Sequence, residues 1–425
     1  MFRTPPPEGR PARAPRRAGR VRRRPAPPSG SALPAAPPPV VVVGLGPVGG
    51  VLAALLGARG VRVVVLERDA APHSTPRAAH LDGEALRCLA AAGVETAGLG
   101  RPLDGFDLVD RRGHLLLRGR PAQAAPPGFP VGILMYQPDV ERALRRRLTA
   151  LPTVDVRLGH AVESIRERGG PQTGGPQTGG AVDVSGTGPG GAFAVEAALV
   201  VGCDGASSRV REAAGVALAG GGFEQAWLVV DALVDRPARE RLPRRLLQIA
   251  DPARPSTYVP FPDPRRRWEF RLRPGEDAET ICRPSSVRAL LAPHVDPDAV
   301  EVERAAVYTF HDLVAERWRA GRVVLAGDAA HQMPPFLGQG LGAGLRDAWA
   351  LAPLVAAVAQ GGAALGRLDT YEAERRPHVE ATVRQAVRLG RLVTLPAPLA
   401  AVRDAVLRAG WRVPAVRRRL LDVRG

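Results

Sequence analysis

Val40-Val41-Val42-Val43-Gly44-Leu45-Gly46-Pro47-Val48-Gly49-Gly50 is the stretch on which the fold turns. Four consecutive β-branched residues read as a parallel strand buried on both faces, where no alternation is required. The glycines that follow have the GxGxxG spacing, and the apolar run Val51 to Arg59 reads as a helix stopped by Gly60. A second strand is expected over Val61 to Leu66, closing a βαβ unit of about 30 residues. Gly44 permits a tight turn, Gly46 lets backbone approach a pyrophosphate, and Gly49 lets helix and strand pack closely. Pro47 suits the first helical turn, where its missing N–H has no intrahelical partner. The remaining N–H groups and the positive helix end then face an anion, with Val48 inside that turn. Glu67 lies 23 residues past Gly44 with Arg68 beside it, where an acid can accept from ribose hydroxyls and repel a 2′-phosphate. FAD or NAD therefore fits this cradle better than NADP.

Outward from the cradle, 425 residues are enough for two or three domains. A mean hydropathy of −0.07 fits a globular chain, and no apolar run reaches the roughly 20 residues of a membrane span. The three cysteines are scattered, so neither a disulfide framework nor a zinc site is expected, in keeping with a reducing cytoplasm. The net charge of +17 raises nucleic acid as a partner. All 59 basic residues are arginine, and residues 1–38 hold nine of them against a single acid, Glu8. That proline-rich segment supplies about half the net charge and is expected to be a disordered, solvated tail. A nucleic-acid or membrane arm is the alternative. No apolar stretch follows the basic part, so a secretory signal is not expected.

Helices are expected over residues 81–93 and from Asp139 to Leu148. The tandem PQTGG repeat within 169–180 reads as a hairpin tip between strands near 154–165 and 181–185. Strand-like stretches at 224–234, 244–249, 256–261, 267–273 and 302–310 suggest a sheet-rich domain over about 216–312. The chain is expected to be helical from about residue 365.

Two further turns carry an aspartate after an apolar strand. Leu199-Val200-Val201-Gly202-Cys203-Asp204-Gly205 runs on to Arg211. Val323-Val324-Leu325-Ala326-Gly327-Asp328 runs on through His331 and Pro334 to Gly338-Gln339-Gly340-Leu341-Gly342 and a helix carrying Arg346-Asp347-Ala348. Alone, either is also the pattern of an ordinary capped turn. Together with the cradle they suit a cofactor too long for one βαβ unit. Asp328 would accept from a ribityl hydroxyl, and the glycine turn would aim N–H groups at a flavin pyrimidine edge.

These three motifs, in this order, resemble the fingerprints of the flavin-dependent aromatic hydroxylases of the para-hydroxybenzoate hydroxylase type. The likeness covers roughly residues 38–385. Within that group the chain is most similar to the 3-(3-hydroxyphenyl)propionate/3-hydroxycinnamate hydroxylases. Pro76-Arg77-Ala78, Asp82, Glu84 to Arg87, Gln137 to Glu141, Asp251 to Pro255, Arg267-Trp268-Glu269-Phe270 and Pro274-Gly275-Glu276 carry that finer likeness. The resemblance implies an α/β fold: a Rossmann-like FAD-binding domain with an inserted sheet-rich substrate domain and C-terminal helices. The FAD-binding part would comprise 39–100, 137–215 and 313–385, the substrate part 101–136 and 216–312, and a helical segment 386–425. It implies that NADH or NADPH reduces FAD, which hydroxylates a phenolic substrate with O2 through a flavin C4a-hydroperoxide. A polyketide-tailoring hydroxylase or epoxidase, or a flavin-fold protein with impaired catalysis, is the alternative.

By the resemblance, Gly44, Gly46, Gly49 and Glu67 would hold the ADP half, with Arg77 near the pyrophosphate and Gln137 also at FAD. Asp204 and Arg211 would serve FAD and NAD(P)H, Gly327 and Asp328 the ribityl chain, and Pro334 and Gly338 to Gly342 the ring. Gln137 as a helix cap, Arg211 as a surface ion pair and His331 as a structural residue stay open. Trp227, Tyr258, Trp268 and Phe270 read as sheet core before substrate-stacking residues. Gly342, Ala350, Pro353 and Leu354 depart from the family pattern, and Pro353 is expected to kink its helix. No catalytic base is named by the sequence. A monomer or homodimer in the cytoplasm, with no nucleic-acid partner, no bound metal and no membrane span, completes the expectation.

Overall fold

The computed structural model describes residues 37–72, 75–119, 125–168 and 180–413. Residues 1–36 of the basic tail and nearly all of the PQTGG repeat lie outside the described residues, and so do the expectations attached to them.

The valine run forms the strand Val40–Val43, fully buried and paired in parallel on both sides, with Leu199–Gly202 and with Val63–Glu67. Burial on both faces is why the run has no polar alternation. The sheet has six strands in the order Arg319–Ala320, Val323–Leu325, Leu199–Gly202, Val40–Val43, Val63–Glu67, Val154–Leu158. This order brings the C-terminal ends of Val40–Val43, Leu199–Gly202 and Val323–Leu325 side by side. All three motif turns therefore leave one edge of one sheet, the usual position for a ligand crevice in an open α/β sheet.

The helix Pro47–Gly57 is buried almost all round, between the sheet and the helices Gln137–Thr149 and Gly340–Ala359. Gly340–Ala359 is long and apolar enough, by length and composition, to cross a membrane. It carries Arg346 and Asp347, however, and packs against Pro47–Gly57, Gly83–Ala91 and Asp369–Val393 as a core helix. It runs without interruption through Pro353. Pro353 lies on the exposed side, where water can satisfy the carbonyl that loses its donor, so the helix continues past it.

A second, eight-stranded sheet stands over this layer, in the order His331–Gln332, Val300–Ala315, Leu218–Val234, Arg265–Arg271, Ser256–Val259, Leu246–Ile249, Phe106–Val109, Leu115–Gly119. Its strands alternate. Trp268 and Phe270 pack with Leu228, Val230, Val287 and Leu291 on one face, so Arg267 and Glu269 project from the other. The helices that complete this apolar layer, Ala278–Ile281 and Pro284–Leu291, were not anticipated. Nor was the strand Gly191–Ala197, whose exposed residues belong to a solvated three-stranded sheet with little apolar contrast. Of the stretch 101–136, Phe106–Val109 and Leu115–Gly119 join the large sheet, whereas Gly132–Met135 pairs with His80–Asp82 and Gly100–Pro102.

Candidate active site

At the cradle, Gly44 has φ +97°, and a Cβ there would stand 2.5 Å from the Cys203 carbonyl oxygen. A Cβ on Gly49 would stand 2.0 Å from the Gly44 oxygen. Both glycines are thus required by the protein's own backbone. Gly46 differs: its absent side chain would meet nothing within 4 Å, because it borders a cavity of about 1110 Å3 that Pro47, Val48 and Arg68 also line. Glu67 accepts from the Leu45 N–H at 2.6 Å and the Asp69 N–H at 2.9 Å, one on each carboxylate oxygen. A carboxylate has roughly four acceptor positions, so Glu67 braces the cradle and retains capacity for hydroxyl donors.

The second motif is tied into its own turn. Asp204 accepts from the Ser208 hydroxyl at 2.5 Å and from the Val210 N–H at 3.1 Å, while Ser208 caps the following helix. Burial raises the Asp204 pKa, and these donors oppose the shift. Arg211 is buried and donates to the carbonyl oxygens of Ala206 at 3.0 Å and Ala329 at 3.3 Å. It is a bolt between the second and third motif turns, a role that spacing could not reveal. Asp204 lines the cavity with Gly205, and a Cβ on Gly205 would lie 3.9 Å from Arg77 Nη1.

Gln137 is no helix cap. It begins the helix Gln137–Thr149, and its buried Oε1 accepts from the N–H groups of Arg77 at 3.1 Å and Ala78 at 2.8 Å. Its Nε2 donates to Glu141 at 2.8 Å. The side chain therefore sets the segment that presents Arg77 to the cavity.

Asp328 sits in the single turn Gly327–Ala329. Protein surrounds it, yet its side chain faces the cavity, so its open surface is cavity surface. Among the described residues no donor hydrogen-bonds its carboxylate. Burial raises its pKa, and the charges of His331 and Arg77 oppose the rise. Gly327, at φ +62°, packs on Val48 and donates to Asp347 at 3.2 Å. Asp347 is fully buried and also binds His331 Nε2 at 2.5 Å and Arg375 Nε at 3.0 Å. Burial works against that carboxylate, but His331 and Arg375 hold it below the usual range. His331 is thereby structural.

Gly338 to Leu341 line the cavity with Pro335, Phe336 and Leu337, whereas Pro334 and Gly342 stand behind that lining. A Cβ at Gly342 would lie 3.3 Å from Arg346 Nη1. Arg346 Nη1 is 3.0 Å from both carboxylate oxygens of Asp82, and Nη2 donates to Gln339 Oε1 at 2.8 Å. This fork steadies the glycine turn at Gly342, where the side chain of the family pattern is missing. Trp227 is core and also borders the cavity, edge-on to Phe336 at 5.7 Å. Tyr258, Trp268 and Phe270 belong to the sheet core.

The cradle and Asp328 therefore open on one continuous cavity, at separate turns. Open space at Gly46 for a pyrophosphate and a donor-less carboxylate at Asp328 for a ribityl hydroxyl fit an extended flavin nucleotide. Sequence reasoning missed Arg388 and Gln385, which enter the cavity from the helix Asp369–Val393 beside Leu389, Leu392 and Leu407. Arg388 makes no hydrogen bond or ion pair among the described residues. Nothing in a chain of 59 arginines marks out one that lacks such a partner.

Residues 38–386 match the FAD binding domain family. The chain is 40% identical over 373 residues to a probable NADH-specific resorcinol 4-hydroxylase of Rhodococcus jostii, covering 86% of this chain and 68% of that one. It is 39% identical over 393 residues to a 3-(3-hydroxy-phenyl)propionate/3-hydroxycinnamic acid hydroxylase of Burkholderia vietnamiensis, covering 91% and 69%. Among solved structures, p-nitrophenol 4-monooxygenase from Pseudomonas putida superposes with a TM-score of 0.79 at 27% identity, covering 90% of this chain and 96% of that one. Aklavinone-11 hydroxylase in complex with FAD and aklavinone gives 0.73 at 28%, covering 83% and 68%. With the glycine cradle, the two aspartate turns and the shared cavity in place, the chain belongs to the FAD binding domain family, as an FAD-dependent aromatic hydroxylase.

Proposed function

We propose that the protein hydroxylates a phenol bearing a carboxylated arm, of the 3-(3-hydroxyphenyl)propionate class, using FAD, O2 and NADH or NADPH. When bound, FAD supplies hydride acceptance from the nicotinamide and oxygen activation. The chain's residues bind, orient and exclude water. Gly44, Gly46, Pro47, Val48 and Gly49 shape the pyrophosphate seat, and Glu67 with Arg68 borders the adenosine ribose. Arg77, set by Gln137, supplies positive charge to the phosphates. Asp204 and Arg211 hold the second turn against the third, where Gly327 and Asp328 receive the ribityl arm. The turn from Pro334 through Gly338, Gln339, Gly340 and Leu341 to Gly342 meets the ring. Residues 39–100, 137–215 and 313–385 carry FAD in this reading, and 101–136 with 216–312 roof the substrate.

The observation that carries the choice of substrate is Arg388, an exposed cation without a hydrogen-bond or ion-pair partner among the described residues, which lines the cavity with Gln385, Leu389 and Leu392. A carboxylate is its natural complement. A second reading, a bulky polycyclic phenol, is favoured by the cavity's volume of about 1110 Å3. Oxygen uptake and nicotinamide oxidation by the purified flavoprotein decide between them, with 3-(3-hydroxyphenyl)propionate, resorcinol and a polycyclic phenol compared for product. Turnover of the first with formation of its ring-hydroxylated product supports the proposal. Turnover of the polycyclic phenol alone overturns it.

A further inference from the structure

Five carboxylates line the cavity: Asp82, Glu84, Asp204, Glu269 and Asp328. Asp82 is held by Arg346 and caps a helix through the Ala85 N–H at 2.8 Å. Glu84 is half-exposed and paired with Arg87 at 2.6 Å. Asp204 is engaged by Ser208 and Val210. Asp328 belongs to the turn assigned above to the ribityl arm. Glu269 remains.

Glu269 is only 8% exposed, yet no described donor hydrogen-bonds its carboxylate. Among the described residues its charged neighbour within 4 Å is Arg267 Nη1, at 3.7 Å, too long for a hydrogen bond. Arg267 is already engaged. Its Nε donates to Asp231 at 2.7 Å, its Nη1 to the Arg77 carbonyl at 3.0 Å, and its Nη2 to the Pro76 carbonyl. Across the sheet, Glu269 stands opposite Val229 on one side and Thr257 on the other. Valine offers no donor, and the Thr257 hydroxyl donates to Gln248 at 3.1 Å. Trp227 and Val259 also border the cavity on this wall. A buried carboxylate is not ordinarily left without a donor. Here Trp227, Val229 and Val259 share the wall with an acceptor that lacks one.

We propose that Glu269 is the catalytic base, the acceptor of the phenolic O–H of the aromatic substrate. The inference rests on the hydroxylase reading above and adds to it the residue that activates the ring. An aromatic ring suits the Trp227, Val229 and Val259 surroundings, and its hydroxyl supplies the missing donor. In the proton-transfer step the phenolic O–H bond breaks, its electron pair stays on oxygen, and the proton moves to a Glu269 carboxylate oxygen. Nothing is oxidised in that step. The negative oxygen pushes electron density onto the ring carbons that are hydroxylated. After the ring has been hydroxylated the Glu269 carboxyl returns its proton to that oxygen, the ring C–H proton passes to water, the C–H electron pair stays in the ring and aromaticity is restored. Burial pushes the Glu269 carboxyl above its ordinary range; Arg267 opposes the shift, Asp231 reinforces it and Arg304 opposes it. A raised carboxyl pKa narrows the gap to a phenol and improves the base. Gln248, Arg304, Tyr308, Thr309 and His311 are further polar residues that line the cavity, and Tyr308 is tied to Arg304 at 2.8 Å.

The test uses the FAD-loaded protein and its Glu269→Gln and Glu269→Asp variants. With oxidised enzyme and no nicotinamide, 3-(3-hydroxyphenyl)propionate and resorcinol are titrated while their ultraviolet phenol and phenolate bands are followed against pH. Wild type is expected to bind the phenol with its ionisation moved to higher pH, because the Glu269 carboxylate accepts from the neutral hydroxyl and repels the phenolate, and Glu269→Gln to lose that movement while keeping the visible flavin spectrum. Hydroxylation by Glu269→Gln should fall about 100-fold, within the usual range for general-base loss, with the acid limb of the kcat/KM profile abolished. Glu269→Asp should restore part of both. Wild-type phenol ionisation and hydroxylation in Glu269→Gln would overturn the proposal, and so would loss of FAD from both variants. A wild-type protein that holds no FAD or hydroxylates no phenol would overturn the hydroxylase reading itself, a result distinguishable before any variant is made.

Discussion

Gly46 and Gly49 are three residues apart at the start of one helix, and alanine at each should fail in opposite ways. At Gly49 a methyl carbon would be placed 2.0 Å from the Gly44 carbonyl oxygen and 3.2 Å from Cys203 Cβ. Ordinary contact begins near 3.4 Å, so strand and helix would have to part by about 1.4 Å. The obstacle is backbone, held by the Gly44 N–H bond to Leu66 at 2.8 Å, and cannot rotate away. Overpacking of this kind costs about 3 kcal/mol, the upper end of its usual range. At Gly46 the backbone has φ −68°, which any residue adopts, and the methyl would enter open cavity. Gly46→Ala apoprotein should therefore unfold in urea at the wild-type midpoint, while its FAD affinity, followed by quenching of flavin fluorescence, falls at least tenfold. Gly49→Ala should lower the urea midpoint of the apoprotein itself. Wild-type FAD affinity in Gly46→Ala would refute the placement of the pyrophosphate. An unchanged midpoint in Gly49→Ala would refute the packing argument.

Asp328→Asn removes no hydrogen bond to a described residue, so thermal denaturation of the apoprotein should be unchanged or slightly improved while FAD dissociates faster on dilution. Arg388→Met should raise KM for 3-(3-hydroxyphenyl)propionate about tenfold or more, the worth of a charge-assisted hydrogen bond, and leave KM for resorcinol, which has no carboxylate, near wild type. Asp347→Asn should destabilise the protein by about 3 kcal/mol in urea titration at neutral pH, because it strands the buried Arg375. The Asp347 carboxyl is held below its ordinary range when folded. Its contribution is therefore present above about pH 4, near the unfolded value, and is lost as pH falls through the lower folded value. The difference between wild type and Asp347→Asn should close only in that acid window.

The dinucleotide cradle was legible because its constraints are local. A strand buried on both faces demands a continuous apolar run, and turns with backbone at 2.0 to 2.5 Å from a would-be Cβ demand glycine. The two aspartate turns were legible as turns for the same reason, and their ordered recurrence carried the family likeness. What each aspartate does was not legible. Asp204 and Asp328 follow similar strands, yet one carboxylate is engaged by Ser208 and Val210 while the other has no described donor.

Pro353, inside a helix that continues past it, shows the limit of a local rule. Sequence sees the lost hydrogen bond but not that the residue faces water. Gly342 is similar: it removes a side chain from the turn, and the compensating fork from Arg346 to Asp82 and Gln339 joins positions up to 264 residues apart.

The sequence by itself determined the strand, the cradle, the three motif turns and the family, since each rests on residues that are neighbours in the chain. Only the tertiary structure decided which charges are satisfied. It bolts Arg211 between two turns, engages Arg267 with Asp231, and leaves Glu269 and Arg388 facing the cavity without hydrogen-bond partners among the described residues. A charge's function follows from its partners, and those partners are assembled by long-range packing that no local pattern records.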